Sequence, residues 1–169
     1  MLSVRGLSVP PVLSAVDLDL SDGELVVVTG DDGAGTSTLL RALAAAWGDR
    51  ARLLEQPPGT EWSEHDVAGD LADPALFAAL GMTSPPDREM WMLSGGERQR
   101  VRLARVLAAP PEVALLLDEP LGYLDLLGRR RVLERLRGRT AVVVVKSDPD
   151  AELVADRVLV LADGRLSQT

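Results

Sequence analysis

The chain has 169 residues, of which 46% are hydrophobic, so it can form one domain with a substantial core but not two full domains. Its formal net charge of -8 at pH 7 disfavours any binding mode that neutralises the phosphates of DNA or RNA, so we expect no nucleic-acid partner. Cysteine is absent, which excludes disulfides, thiolate metal sites and cysteine nucleophiles.

The first third of the chain predicts strands followed by a helix. Alternating apolar residues over 16–20 predict a half-buried strand, and the apolar run 25–28 predicts a central strand. From Ser37 the apolar residues follow helical spacing up to Gly48, and 52–56 is a short strand candidate. No apolar run approaches the roughly 18 residues of a membrane span, and the first residues lack the pattern of a secretory signal, so we expect a cytoplasmic chain.

The remaining residues predict further alternation of helices and strands. The stretch 57–88 has five prolines and only small helical patches, so it predicts an inserted helical lobe. After it we predict a helix capped by Ser94 and Glu97, and then alternating elements that imply a mostly parallel sheet. Their expected bounds are helix 94–108, strand 113–117, helix 126–137, strand 141–145 and a closing hairpin over 157–166.

A glycine-rich loop connects the strand 25–28 to the following helix. In this setting backbone N–H groups and the helix N-terminus can bind phosphates, and the usual pattern is G-x-x-x-x-G-K-S/T. Threonine 36 stands where that pattern has lysine. The candidate phosphate-binding residues are Gly30, Asp31, Gly33, Ala34, Gly35, Thr36, Ser37 and Thr38.

Two further motifs follow in order. The sequence LSGGERQR occupies 93–100, and a hydrophobic strand ends in Asp118, Glu119 and Pro120. Together with the glycine loop, these motifs resemble the signature, Walker B and Walker A motifs of ATP-binding-cassette (ABC) transporter ATPases. The resemblance covers nearly the whole chain, since Gln56 occupies the Q-loop position, 121–125 the D-loop position and 162–165 the C-terminal hairpin.

This resemblance implies an α/β P-loop NTPase fold. We expect a RecA-like core of mostly parallel sheet over 1–56 and 110–169, with an antiparallel N-terminal part, and an inserted helical subdomain over 57–109. The whole of 1–169 would form a single ABC ATPase domain.

The resemblance also implies ATP and Mg²⁺ as ligands and a role for each motif. Ser37, Asp118 and Gln56 would hold the metal, and Glu119, Gln56 and Ser147 would act in hydrolysis. In such dimers the signature residues contact the ATP of the partner, and here these residues are Ser94, Gly95, Gly96 and Glu97.

The chain departs from the family pattern at three places. Thr36 replaces a phosphate-binding lysine, and Ser147 replaces a histidine that touches the γ-phosphate. The segment 9–13 offers no aromatic ring for adenine. Lys146, the only lysine, could supply the missing contact, but strand alternation predicts that it faces away if 147 faces the nucleotide. For Arg41, a solvated helix face is favoured over a phosphate contact.

Three functional hypotheses remain at this point. The first is the ATP-binding subunit of an ABC transporter, bound to a separate transmembrane permease at the inner face of the membrane. A heterodimer with an intact ABC ATPase domain is then favoured over a homodimer, because two damaged sites would hydrolyse poorly. The second is a pseudo-ATPase scaffold that donates its signature motif to a partner. The third, an ABC ATPase acting on DNA or ribosomes, is opposed by the acidic balance.

Overall fold

The computed structural model describes residues 1–56, 66, 68, 73–82 and 87–168. Within these residues strands and helices alternate along most of the chain. In chain order they are β1 (Leu2–Val9), β2 (Leu13–Leu20), β3 (Leu25–Thr29), α1 (Thr36–Trp47), β4 (Ala51–Leu54), α2 (Pro74–Ala79), α3 (Gly95–Leu107), β5 (Ala114–Asp118), α4 (Leu126–Leu136), β6 (Ala141–Val144), α5 (Pro149–Val154), β7 (Arg157–Ala162) and β8 (Arg165–Gln168). Short 3₁₀ turns follow α1 and precede α3.

The central sheet has the strand order β4-β5-β6-β3-β7-β8. Its first five strands are parallel, and β8 returns antiparallel to β7 as the expected hairpin. A separate antiparallel pair, β1 and β2, forms the N-terminal part. The α/β class, the mostly parallel sheet and the antiparallel N-terminal part are therefore confirmed.

The inner strands bury apolar side chains on both faces of the sheet. In β3, Leu25 and Val27 pack into one core cluster, whereas Val26 and Val28 pack into the other. Such two-sided burial explains why this strand is an unbroken apolar run rather than an alternating one. One cluster lies against α3, α4 and α5, and the other lies against α1 and the β1–β2 pair. The sheet is thus held between two layers, which fixes the positions of its loops.

Most of the predicted elements are present with shifts of one or two residues. The helix α1 ends at Gly48 as expected, and α3 carries the predicted capping box. Strand β1 and helix α5 were not predicted as individual elements, although the resemblance implied an antiparallel N-terminal part. The predicted lobe 57–88 lies partly outside the described residues, although α2 falls within it. The division into a core and a helical subdomain stays a prediction. Among the described helices, none has the length and apolar character to cross a membrane.

Candidate functional site

The carboxyl ends of three adjacent strands bring the predicted motifs together. Strand β6 lies between β5 and β3, with Val144 in register with both Asp118 and Val28. The loops that leave these strands therefore begin side by side at one edge of the sheet. Ligands of open α/β sheets bind at this edge. The glycine loop after β3, the acidic pair that ends β5 and the segment after β6 consequently share one site.

The glycine loop is fixed by backbone conformations and close packing. Gly33 and Gly35 have φ values of 86° and 97°, which lie in the region that favours glycine. A Cβ at Gly35 would collide with Cγ1 of Val12, and one at Gly30 would lie 2.9 Å from the carbonyl oxygen of Leu161. The loop ends at α1, whose N-cap Gly35 makes no side-chain cap hydrogen bond. The first turn of α1 therefore offers backbone N–H groups that suit an anion.

Ser37 and Asp118 form the polar centre of the site. The Ser37 hydroxyl hydrogen-bonds the Asp118 carboxylate, which is only 3% exposed. Burial raises the pKa of Asp118 above its usual value, and the bond from Ser37 offsets part of that rise. Among the described residues, Oδ1 of Asp118 has no hydrogen-bond partner. An unsatisfied, buried carboxylate oxygen beside a hydroxyl is a donor set that fits Mg²⁺.

Glu119 follows Asp118 at the end of β5 and adopts a φ of 49°. Its backbone N–H donates to the carbonyl of Val144 at 3.0 Å, which anchors the residue to β6. Burial and the neighbouring charge of Asp118 raise the pKa of Glu119, while Lys146 acts to lower it. A carboxyl with a raised pKa beside a phosphate site has the character of a proton acceptor for an attacking water.

Lys146 lies over the glycine loop, which corrects the prediction that it faces away. Its Nζ is 2.6 Å from Oδ1 of Asp32, and this pairing raises the pKa of Lys146. The prediction was wrong because β6 ends at Val144, so the extended alternation does not reach Lys146. Ser147 follows in the same bend and is exposed.

Arg41 contacts the Q-loop segment instead of the glycine loop. Its Nε lies 2.6 Å from Oε1 of Glu55, and this pairing raises the pKa of Arg41. Arg102 of α3 is 4% exposed and donates to the carbonyl oxygen of the same Glu55 at 2.5 Å. Gln56 comes next and is exposed. The position of Gln56 is therefore tied both to α1 and to the signature helix.

The signature residues lie at the N-terminus of α3, where they contact the D-loop. Ser94 Oγ accepts a hydrogen bond from the Glu97 N–H at 3.3 Å, and Glu97 Oε2 accepts one from the Ser94 N–H at 2.8 Å. Burial acts to raise the pKa of Glu97, but the bonds with Ser94 hold it below its usual value. A Cβ at Gly96 would lie 2.8 Å from the carbonyl oxygen of Tyr123. The nearest neighbours of this cap are thus in the D-loop and not in the glycine loop.

An open cavity of about 490 Å³ lies beside the glycine loop. Pro11 and Val12 line one side, Asp31 and Asp32 another, and the β7–β8 turn closes the end. No aromatic side chain lines it among the described residues, in agreement with the absence of aromatic residues over 9–13.

Sequence reasoning missed four residues that shape the site. Asp32, a loop residue for which the sequence predicts no role, pairs with Lys146. Arg102 and its partner Gln99 lie in the predicted capped helix, and both are buried. Tyr123 lies at the predicted D-loop position, and its packing against Gly96 was not predicted. The helical spacing of Gln99 and Arg102, one turn apart, was the one signal that periodicity could have found.

The chain is similar to ATP-binding proteins of bacterial importers. A family model described as ABC transporter matches residues 73–122. The aliphatic sulfonates import ATP-binding protein SsuB of Mycobacterium sp. (strain MCS) is 40% identical, over 99% of this chain and 82% of that protein. The Fe(3+) ions import ATP-binding protein FbpC of Streptomyces avermitilis is 36% identical, over 94% of this chain and 57% of that protein. The alignment with SsuB runs over 201 positions although the chain has 169 residues, so this chain is shorter than SsuB within the aligned region.

Solved structures share the fold. An ATP binding subunit of an ABC transporter superposes with a TM-score of 0.81 at 20% identity, covering 98% of this chain and 89% of that one. The dimeric bacterial ABC transporter cassette MJ0796 gives a TM-score of 0.76 at 21% identity, covering 99% and 97%. The relatives are named as import ATP-binding proteins, which gives no support to the scaffold hypothesis. Because it is 40% identical to SsuB over 99% of its own length and 82% of that protein, the chain belongs to the ABC transporter ATP-binding family.

Proposed function

We propose that this chain is the ATP-binding subunit of an ABC importer. It would bind ATP at the glycine loop and couple ATP hydrolysis to transport through a separate transmembrane permease at the inner face of the membrane. The observation that carries the proposal is the convergence of the glycine loop, Ser37, Asp118 and Glu119 at one sheet edge. Import is favoured by the names of the relatives, which carry two different cargoes and therefore do not single out one for this chain.

Within the chain each group would have one task. The N–H groups of the loop and of the first turn of α1 bind phosphate oxygens. Ser37 and Asp118 would hold Mg²⁺, which would neutralise charge on the phosphates. Glu119 orients the attacking water and accepts its proton. Gln56, fixed through Glu55, would report the state of the site to the permease.

The site would be completed by a second ABC ATPase domain. Ser94, Gly95, Gly96 and Glu97 would contact the partner's ATP through the N-terminus of α3. Ser94 Oγ accepts the Glu97 N–H and also bonds the Glu97 carboxylate, so its hydroxyl hydrogen would turn from that carboxylate to a phosphate oxygen when the partner's ATP is bound. Apolar side chains exposed on this side support such an interface, and they are Trp91, Met92, Tyr123, Leu126 and Leu127.

A partner with an intact lysine in its glycine loop would favour a heterodimer over a homodimer. The reason is energetic, since Thr36 forfeits one charge-assisted contact, worth roughly 1.5 to 3 kcal/mol. The same reasoning places most of the hydrolysis at the site that this chain completes through Ser94.

The test is the ATPase rate of the membrane complex with substitutions at Ser94. Ser94→Asp keeps an N-cap acceptor but sets a negative charge against the partner's phosphate, so we expect a loss of at least about tenfold. Ser94→Asn keeps the cap without the charge and is the matched control, for which we expect a smaller loss. An unchanged rate in Ser94→Asp would refute the signature role.

A further inference from the structure

Among the described ion pairs, the one that involves the glycine loop has Lys146 as its basic partner. Its Nζ lies 2.6 Å from Asp32, which belongs to the loop itself. Its charge also acts on Glu119, and its backbone N–H is a hydrogen-bond partner of that carboxylate. One residue therefore touches the phosphate loop and the acidic end of β5 at once.

The sheet topology explains how this residue reaches the loop. Strand β6 lies between β3 and β5, and the Val145 N–H donates to the carbonyl of Val28 at 3.1 Å. The chain then bends at Lys146, so its side chain emerges between the two neighbouring strand ends. In an extended strand the side chain of Lys146 would point away from the glycine loop, but the bend turns it toward Asp32.

The charges around the loop call for a cation. Residues 30–38 contain two aspartates and no basic residue, and Glu119 and Asp118 add two more carboxyl groups nearby. Backbone N–H groups alone would face a polyphosphate in a strongly negative setting. The pair between Lys146 and Asp32 is exposed, with 65% and 82% of the two side chains accessible, so it contributes little to stability. Fold stability therefore does not account for this arrangement.

We propose that Lys146 is the phosphate-binding cation of this site and takes the part that Thr36 cannot play. An ammonium group has three N–H donors, so it can keep Asp32 on one of them and offer the others to the terminal phosphates. This proposal rests on the proposed function, since it assumes that ATP binds at the glycine loop. It further implies that this half-site binds nucleotide despite the substitution at 36, in which case the energetic preference for a heterodimer no longer applies.

The test is an equilibrium titration of the purified full chain with ATP and Mg²⁺. For Lys146→Ala we expect affinity to fall by about 10- to 150-fold, the range for one charge-assisted bond. Arg50→Ala is the matched control, because it removes one exposed positive charge at the far end of α1, roughly 18 Å from the loop. Its affinity should match the unmodified chain. Thr36→Lys added to Lys146→Ala should restore binding.

A second pair of variants separates contact from simple neutralisation of Asp32. If Lys146 only neutralises that carboxylate, Asp32→Asn and Asp32→Asn/Lys146→Ala will bind ATP equally, and the proposal is overturned. If Lys146 contacts phosphate, the double variant will bind at least about tenfold more weakly. Thermal unfolding of each variant checks that this exposed position leaves the fold intact.

The failure of this proposal and that of the function are distinguishable. Equal ATP affinity of Lys146→Ala and the unmodified chain overturns the role of Lys146 alone. If Thr36→Lys binds ATP and the unmodified chain does not, the role of Lys146 is likewise overturned, but the glycine loop remains a nucleotide site. Absence of binding in both chains overturns the proposed function together with the role of Lys146.

Discussion

Asp118 provides a prediction in which stability and ligand binding change in opposite directions. The residue is 3% exposed, its Oδ1 has no partner among the described residues, and burial raises its pKa. Without ligand the charge is therefore unfavourable. Asp118→Asn removes that charge, so the free energy of unfolding should rise by on the order of 1 kcal/mol at pH 7. For a chain of this length that corresponds to a Tm higher by about 2–4 °C.

The pH dependence of this gain has a definite sign. A folded-state pKa above the unfolded value means that the folded protein holds its proton more tightly. The penalty of the ionised form is complete above the folded pKa and absent well below the ordinary value of 3.8. The stabilisation by Asp118→Asn should therefore fade as pH falls through that window. Urea unfolding at several pH values measures it.

Asp148 is the matched control, because it is another buried aspartate, at the N-cap of α5. Its Oδ1 accepts the Ala151 N–H at 3.0 Å and its Oδ2 pairs with Arg129 at 3.2 Å. Asp148→Asn should lower the free energy of unfolding, since an ion pair is lost. Asp118→Asn should at the same time lose Mg²⁺-dependent ATP binding. A decrease in stability for Asp118→Asn at pH 7 equal to that of Asp148→Asn would refute this reasoning.

Five further substitutions test the contacts that hold the site in place, with the free energy of unfolding measured in urea. Gly35→Ala should lower the free energy of unfolding by about 1–3 kcal/mol, because Gly35 has a φ of 97° and an added Cβ would collide with Val12. Gly33→Ala should lower it less, because an added Cβ there would meet no atom within 4 Å. Equal decreases in the two variants would contradict the packing argument. Ser94→Ala should lower the free energy of unfolding by about 0.5–2 kcal/mol because the N-cap hydrogen bond is lost, whereas Ser94→Asn keeps an N-cap acceptor and should change it little. Arg102→Met should lower the free energy of unfolding by about 1–3 kcal/mol, because the carbonyl of Glu55 loses its hydrogen-bond donor. An unchanged free energy of unfolding would show that Arg102 does not hold the Q-loop segment in place.

The sequence predicted those parts of the fold whose signals are local. The run 25–28 and the capping box of Ser94 and Glu97 depend on periodicity and on spacing within one turn, and both are present. The strand β1 escaped prediction because its burial is partial and irregular, with bulges in its pairing to β2. The helix α5 is only six residues long, too short for a periodic pattern.

The site was predicted in its motifs but not in its contacts. The convergence of the loops follows from the strand order β4-β5-β6-β3-β7-β8, which depends on long-range pairing that no local pattern contains. The orientation of Lys146 depends on whether β6 ends at Val144 or continues, and a strand boundary is uncertain by this amount. Arg102 reaches Glu55 across 47 positions of sequence, so spacing could not reveal that hydrogen bond.

The most direct test of the central claim is the affinity of the purified, unmodified chain for ATP in the presence of Mg²⁺. We expect saturable binding with a Kd below about 1 mM, equivalent to at least roughly 4 kcal/mol of binding free energy. Binding should depend on Mg²⁺ and disappear in Asp118→Asn. Absence of saturable binding up to about 10 mM ATP, in both this chain and Thr36→Lys, would contradict the claim that its glycine loop is a nucleotide site.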